Sequence, residues 1–89
     1  MEIPQETVSE LVTRLRKVEG QVRGIQTMLT DGRDCADVVT QIAAASKALE
    51  QVGFKLVASG LTYCLTHPAE AADSGYDLGR VEKMFMKLG

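Results

Sequence analysis

Apolar residues recur at steps of three and four along most of this chain. The first series runs Val8, Leu11, Val12, Leu15, Val18, Val22, Ile25, Met28 and Leu29, which is the period of an amphipathic helix. It predicts a helix over about 7–30. Thr7 and Glu10 have the spacing of a capping box, and Asp31-Gly32 supplies a stop. Gly20 and Gly24 sit inside this helix and each weakens it by about 1 kcal/mol relative to Ala. Close approach of another helix and plain tolerance both account for them.

A second series begins after Asp34, a good N-cap, with Asp37 in the first turn. Val38, Ile42, Ala45, Leu49, Val52, Leu56, Leu61 and Leu65 carry it forward until Pro68 stops it. The predicted helix spans about 35–66 and is near 48 Å long. That length does not fit inside a compact monomer of 89 residues, so the stripe calls for another chain. Residues 68–74 read as a loop rich in Ala and acid. A short third helix follows over about 75–88, with Leu78, Val81, Phe85 and Leu88 on one face. Met84 and Met86 read as packing residues, and Tyr63 and Tyr76 as partly buried aromatics. The fold class is all-α, in a single domain over 1–89.

Composition narrows the function. With 45% hydrophobic and 25% charged residues, the chain reads as a soluble globular domain, and no apolar run approaches the roughly 18 residues of a membrane span. The acidic start, Glu2 to Glu6, has no apolar core for a secretory signal, so a cytoplasmic location is expected. The net charge of −2 conceals segregation. Between Leu11 and Thr30, Arg14, Arg16, Lys17 and Arg23 are set against Glu19 alone, while acids gather towards both ends. There is no catalytic triad, phosphate loop or paired-carboxylate pattern, so the chain is not expected to be an enzyme.

The two cysteines, Cys35 and Cys64, are 29 residues apart on one predicted helix. That is about eight whole turns, so both emerge from one face, yet they lie roughly 43 Å apart. A disulfide needs Cα atoms about 4.4–6.8 Å apart, and one straight helix cannot supply that. An antiparallel second copy places Cys35 of one chain beside Cys64 of the other, twice over, by a two-fold axis. Cys35, at a helix N-terminus with Arg33 helping and Asp34 and Asp37 opposing, is expected to be the attacking sulfur. The alternative is a pair of inert buried thiols. His67, the single histidine, stands three residues past Cys64; it reads either as a helix-end residue or as a third metal ligand.

Arg14-Leu15-Arg16-Lys17-Val18-Glu19-Gly20-Gln21-Val22-Arg23-Gly24-Ile25 resembles the signature first helix of the CsoR/RcnR/FrmR repressors. Asp34-Cys35-Ala36-Asp37-Val38-Val39-Thr40-Gln41-Ile42 resembles the opening of their second helix, and the likeness continues to Cys64. The resemblance implies a three-helix protomer, an antiparallel dimer forming a four-helix bundle, and a flat tetramer. It implies a repressor that holds operator DNA, without a helix-turn-helix, until an inducer occupies the cysteine site. Arg14, Arg16, Lys17, Gln21, Arg23 and Lys47 are then the candidate DNA contacts.

Copper sensors of this family carry a histidine at the place of Gly60, and nickel and cobalt sensors carry histidines that are missing here. Formaldehyde sensors have an N-terminal proline where this chain has Glu2. The remaining pattern of two cysteines, with Ser46-Lys47, is similar to the CstR branch, which senses persulfides and polysulfides. Three readings follow: a repressor sensing reactive sulfur with no cofactor, a Cu(I)-responsive repressor using Cys35 and Cys64 with or without His67, and a structural helical assembly module.

Overall fold

A computed structural model of the chain describes residues 3–75 and 77–89; Glu2 and Tyr76 lie outside the described residues. The fold is all-helical, with four helices where the periodicity predicts three: α1 (Gln5–Thr30), α2 (Cys35–Thr66), α3 (Pro68–Asp73) and α4 (Leu78–Leu88).

The predicted capping box does not form. α1 begins two residues earlier, after Pro4, and no side chain caps it. Pro4 at φ −55° and ψ 140° orients its carbonyl to accept from Val8 N at 3.0 Å, and the carboxylate of Glu10 is drawn to Lys55 instead. The stop is as expected. Gly32 takes φ +72°, and Arg33 N–H reaches back to Met28 O at 2.9 Å, closing the turn in a Schellman arrangement. Nothing approaches the open sides of Gly20 or Gly24 within this chain.

Asp34 caps α2 by accepting from Ala36 N at 3.2 Å. The helix then runs uninterrupted for 32 residues to the kink at His67. Residues 68–73 are helical rather than looped. Pro68 occupies the first turn, where its fixed φ suits a helix start, and Ala69, Glu70, Ala71 and Ala72 are strong helix formers. α4 starts at Leu78 rather than near 75, because Asp77 caps it by accepting from Arg80 N at 2.9 Å.

α1 and α4 each pack against α2 and not against one another. The three lie side by side, with α2 in the middle, in a slab measuring 55 × 25 × 14 Å. Its radius of gyration is 17.0 Å, against about 12 Å for a compact domain of this length. Its accessible surface is 6503 Å², against about 5100 Å² for a compact protein of this mass. The core is a thin seam of Leu11, Val18, Val38, Ala45, Val52, Cys64, Ala71 and Val81. Large apolar side chains remain at the surface, among them Val12, Leu15, Val22, Val39, Ile42 and Leu49.

Candidate functional site

Cys35 opens α2 and is exposed, whereas Cys64 near its far end is buried. Asp34 fixes the backbone before Cys35 by capping the helix, and Arg33 and Asp37 form a loose exposed ion pair across the same turn, 3.8 Å apart. Because α2 is unbroken from 35 to 66, the two cysteines share one face, about 20° apart around the axis and roughly 43 Å apart along it. Neither is in a disulfide. Cys64 packs in a cluster with Ala71 of α3 and Val81 of α4, bordered by Val57, Tyr63 and Met84. Gly60, one turn before Cys64, is also buried.

His67 does not join that cluster. Its ring stacks on Tyr63, with centroids 5.2 Å apart, and its Nδ1 lies 2.8 Å from Thr66 Oγ1. It lines a concavity on the α1 side of α2, together with Pro4, Thr7, Glu10 and Lys55. Among the described residues, no group of three or more His, Cys, Asp or Glu is placed to hold a metal ion. What one chain offers a soft metal is therefore two thiols at opposite ends of a helix.

The basic cluster is divided by the geometry. Arg14, Lys17 and Gln21 line a shallow concavity between α1 and α2, with Ser9, Thr13 and Gln51. Lys47 is one turn before Gln51 on α2 and is exposed. Arg23 lines a different depression, beside Leu15, Val18, Glu19 and Val22. Arg16 is exposed and lies about 200° around α1 from Arg14. The Gln21 amide oxygen is buried with no hydrogen-bond partner among the described residues.

Two participants escape a reading of the sequence. Gln51 comes from α2 and is brought to the α1 surface only by packing. Glu10 accepts from Lys55 Nζ at 2.6 Å and lies 3.4 Å from Arg14. Lys55, through its hydrogen bond and its charge, holds the Glu10 carboxyl below the usual carboxylate range, with a smaller contribution from Arg14. Arg14 is thereby positioned at the rim of the concavity. Sequence spacing reveals the Glu10–Arg14 pair, at i and i+4, but not the link to α2.

The sequence profile of a family described as a metal-sensitive transcriptional repressor matches residues 7–87. The chain is 44% identical over 64 residues to the copper-sensing transcriptional repressor RicR of Mycobacterium tuberculosis, covering 72% of this chain and 67% of that protein. It is 31% identical over 79 residues to the copper-sensing transcriptional repressor CsoR of Bacillus subtilis, covering 89% and 78%. It is 31% identical over 75 residues to the transcriptional repressor RcnR of Salmonella typhimurium, covering 84% and 83%. No solved structure matches. With nearly its whole length matched, the chain belongs to the metal-sensitive transcriptional repressor family.

Proposed function

We propose that this protein is a cytoplasmic repressor of 1–89 as one domain, which binds operator DNA and is released by Cu(I) held between Cys35 of one subunit and Cys64 of its partner. The observation that carries the site is the unbroken α2, which puts both cysteines on one face at opposite ends. An antiparallel pair of such helices brings them together twice. The thin core and wide apolar surface support an oligomer, as an antiparallel dimer forming a four-helix bundle and a flat tetramer of two dimers.

Cu(I) is the inducer that the relatives support, since two of them are named copper-sensing. Thiolates are soft ligands suited to Cu(I), and two of them fit a two-coordinate site. The chain's own residues would hold the ion and, through it, set the distance between paired helices. DNA is met by Arg14, Lys17 and Gln21 on the concave α1–α2 face and by exposed Lys47, one turn before Gln51 on α2, with Arg16 and Arg23 on another side of α1 as the further candidates. A structural module with incidental cysteines is the weaker reading, because the matching family is one of repressors.

One observation favours a second inducer. Gly60 offers no side chain one turn before Cys64, where copper sensors of this family carry histidine. A reactive sulfur species needs no third ligand. The Cys35 thiolate attacks a sulfane sulfur, the S–S bond breaks and the remaining thiolate leaves, giving a persulfide on Cys35. The partner's Cys64 thiolate then attacks Cys35 Sγ, expels hydrosulfide and closes an inter-subunit disulfide.

Operator binding is to be followed during a Cu(I) titration against a strong competing chelator, and in parallel during polysulfide addition. Tight Cu(I) binding that releases DNA supports the copper reading. Release by polysulfide, with a reductant-reversible species of twice the chain mass and weak Cu(I) binding, replaces it with the sulfur reading.

A further inference from the structure

The face of α2 that carries both cysteines is treated differently at its two ends. Over the first half, Cys35 is exposed, and Val39, Ile42 and Leu49 are 57%, 46% and 52% exposed. Over the second half, the same face is covered by the chain's own α3 and α4. Ala71 and Val81, 2% and 6% exposed, close over Cys64, itself 7% exposed. At the far end of α4, Leu88 sits directly on the α2 backbone: a Cβ at Gly53 would lie 2.5 Å from Leu88 Cδ2. Phe85 meets Phe54 edge to face, with centroids 5.6 Å apart.

An antiparallel two-fold pairing sets the open half of one α2 against the covered half of the other. α3–α4 and the partner's Cys35 end therefore compete for one strip of surface. We propose that α3–α4 is a self-docked cover over Cys64, and that the Cys35–Cys64 pair closes between subunits only when this cover shifts off α2. This rests on the inter-subunit reading of the site. The cover is suited to release. It joins α2 through the single non-helical residue His67, Val81 is the one α4 residue buried among those described, and Leu78, Phe85 and Met86 remain 56%, 47% and 68% exposed. Segments with few buried apolar contacts open at low free-energy cost.

The test measures labelling of Cys64 by monobromobimane in full-length Cys35→Ser protein, against the rate in the same chain unfolded in denaturant. With the cover in place, Cys64 is expected to react at least about tenfold slower than in the unfolded chain. Val81→Asp is expected to recover most of that factor, and the milder Leu88→Ala, remote from Cys64, part of it. Far-UV circular dichroism checks that α1 and α2 persist, and Leu88→Ala decides if Val81→Asp unfolds. An unprotected Cys64, or protection that survives both variants, overturns the cover. In protein with both cysteines, diamide takes two electrons and two protons from a thiol pair. Val81→Asp should speed formation of the disulfide-linked covalent dimer, the diamide leaving as its hydrazine. Faster labelling without faster dimer formation would sink the competition with the partner while the cover itself stands, and a parent chain that gives no covalent dimer with diamide would sink the inter-subunit reading.

Discussion

Lys55 Nζ lies 2.6 Å from Glu10 Oε1 and ties the start of α1 to the middle of α2, 45 positions on in the sequence. The pair is half-exposed, so its effect on stability is modest, but it has a definite sign. Because Lys55 holds the Glu10 carboxyl below its ordinary value, the folded state is favoured above that value. The contribution fades as pH falls through the lowered folded value. Glu10→Gln should therefore flatten the acid limb of stability. Urea midpoints measured from about pH 6 down to pH 3 should fall less in the variant than in the parent. Equal slopes would show that the pair does not hold in solution.

The cap at Asp34 is a local test of how α2 starts. Its side chain accepts from Ala36 N, and Asp34→Ala should cost about 1 kcal/mol of stability in chemical denaturation. Since Cys35 is the next residue, its bimane labelling rate should also change. A stable variant with unaltered Cys35 reactivity would mean that the cap does not shape the site.

Helix periods and end signals carried most of the fold in the sequence. Asp34 and Pro68 bracket α2 at the observed bounds. Pro68 also hid something: as a stop for one helix it is equally a start for the next, and the Ala-rich run after it forms α3. The candidate site was legible only in part. Arg14, Arg16, Lys17 and Arg23 are neighbours in the sequence, but at 100° per residue Arg16 and Arg23 turn away from the concavity that Arg14 and Lys17 line. The cover over Cys64 depends on Val81 and Leu88 finding α2 from afar, which no local spacing encodes.

That division gives a test of the DNA surface. If operator phosphates lie against the concave face, Arg14→Ala and Lys17→Ala should each lower the slope of log affinity against log salt by about 0.9. Arg16→Ala and Arg23→Ala should leave the slope nearly unchanged. The reverse pattern would move the DNA to the other side of α1.

Assembly can be tested on the open half of α2. Leu49 is 52% exposed on a face with Val39 and Ile42, and a buried aspartate there would carry an uncompensated charge. Sedimentation at micromolar concentration should show a tetramer, or at least a dimer, for the parent chain and a smaller species for Leu49→Asp. A parent chain that sediments as a folded monomer would remove the inter-subunit site altogether.

Gly60 separates the two inducers most directly. It is buried one turn before Cys64, so a side chain at 60 rises on nearly the same face as the thiol. Gly60→His supplies an imidazole, which suits copper as a neutral nitrogen ligand. In a protein that senses Cu(I), a third ligand should tighten binding by about tenfold or more, equivalent to about 1.4 kcal/mol. It should leave formation of the polysulfide-induced covalent dimer unchanged, because that chemistry uses only Cys35 and Cys64. Gly60→Ala is the control for bulk, since an added side chain at a buried position can cost about 1–3 kcal/mol through overpacking. If Gly60→His matches Gly60→Ala in Cu(I) affinity, position 60 does not face the metal, and its glycine no longer argues for sulfur over copper.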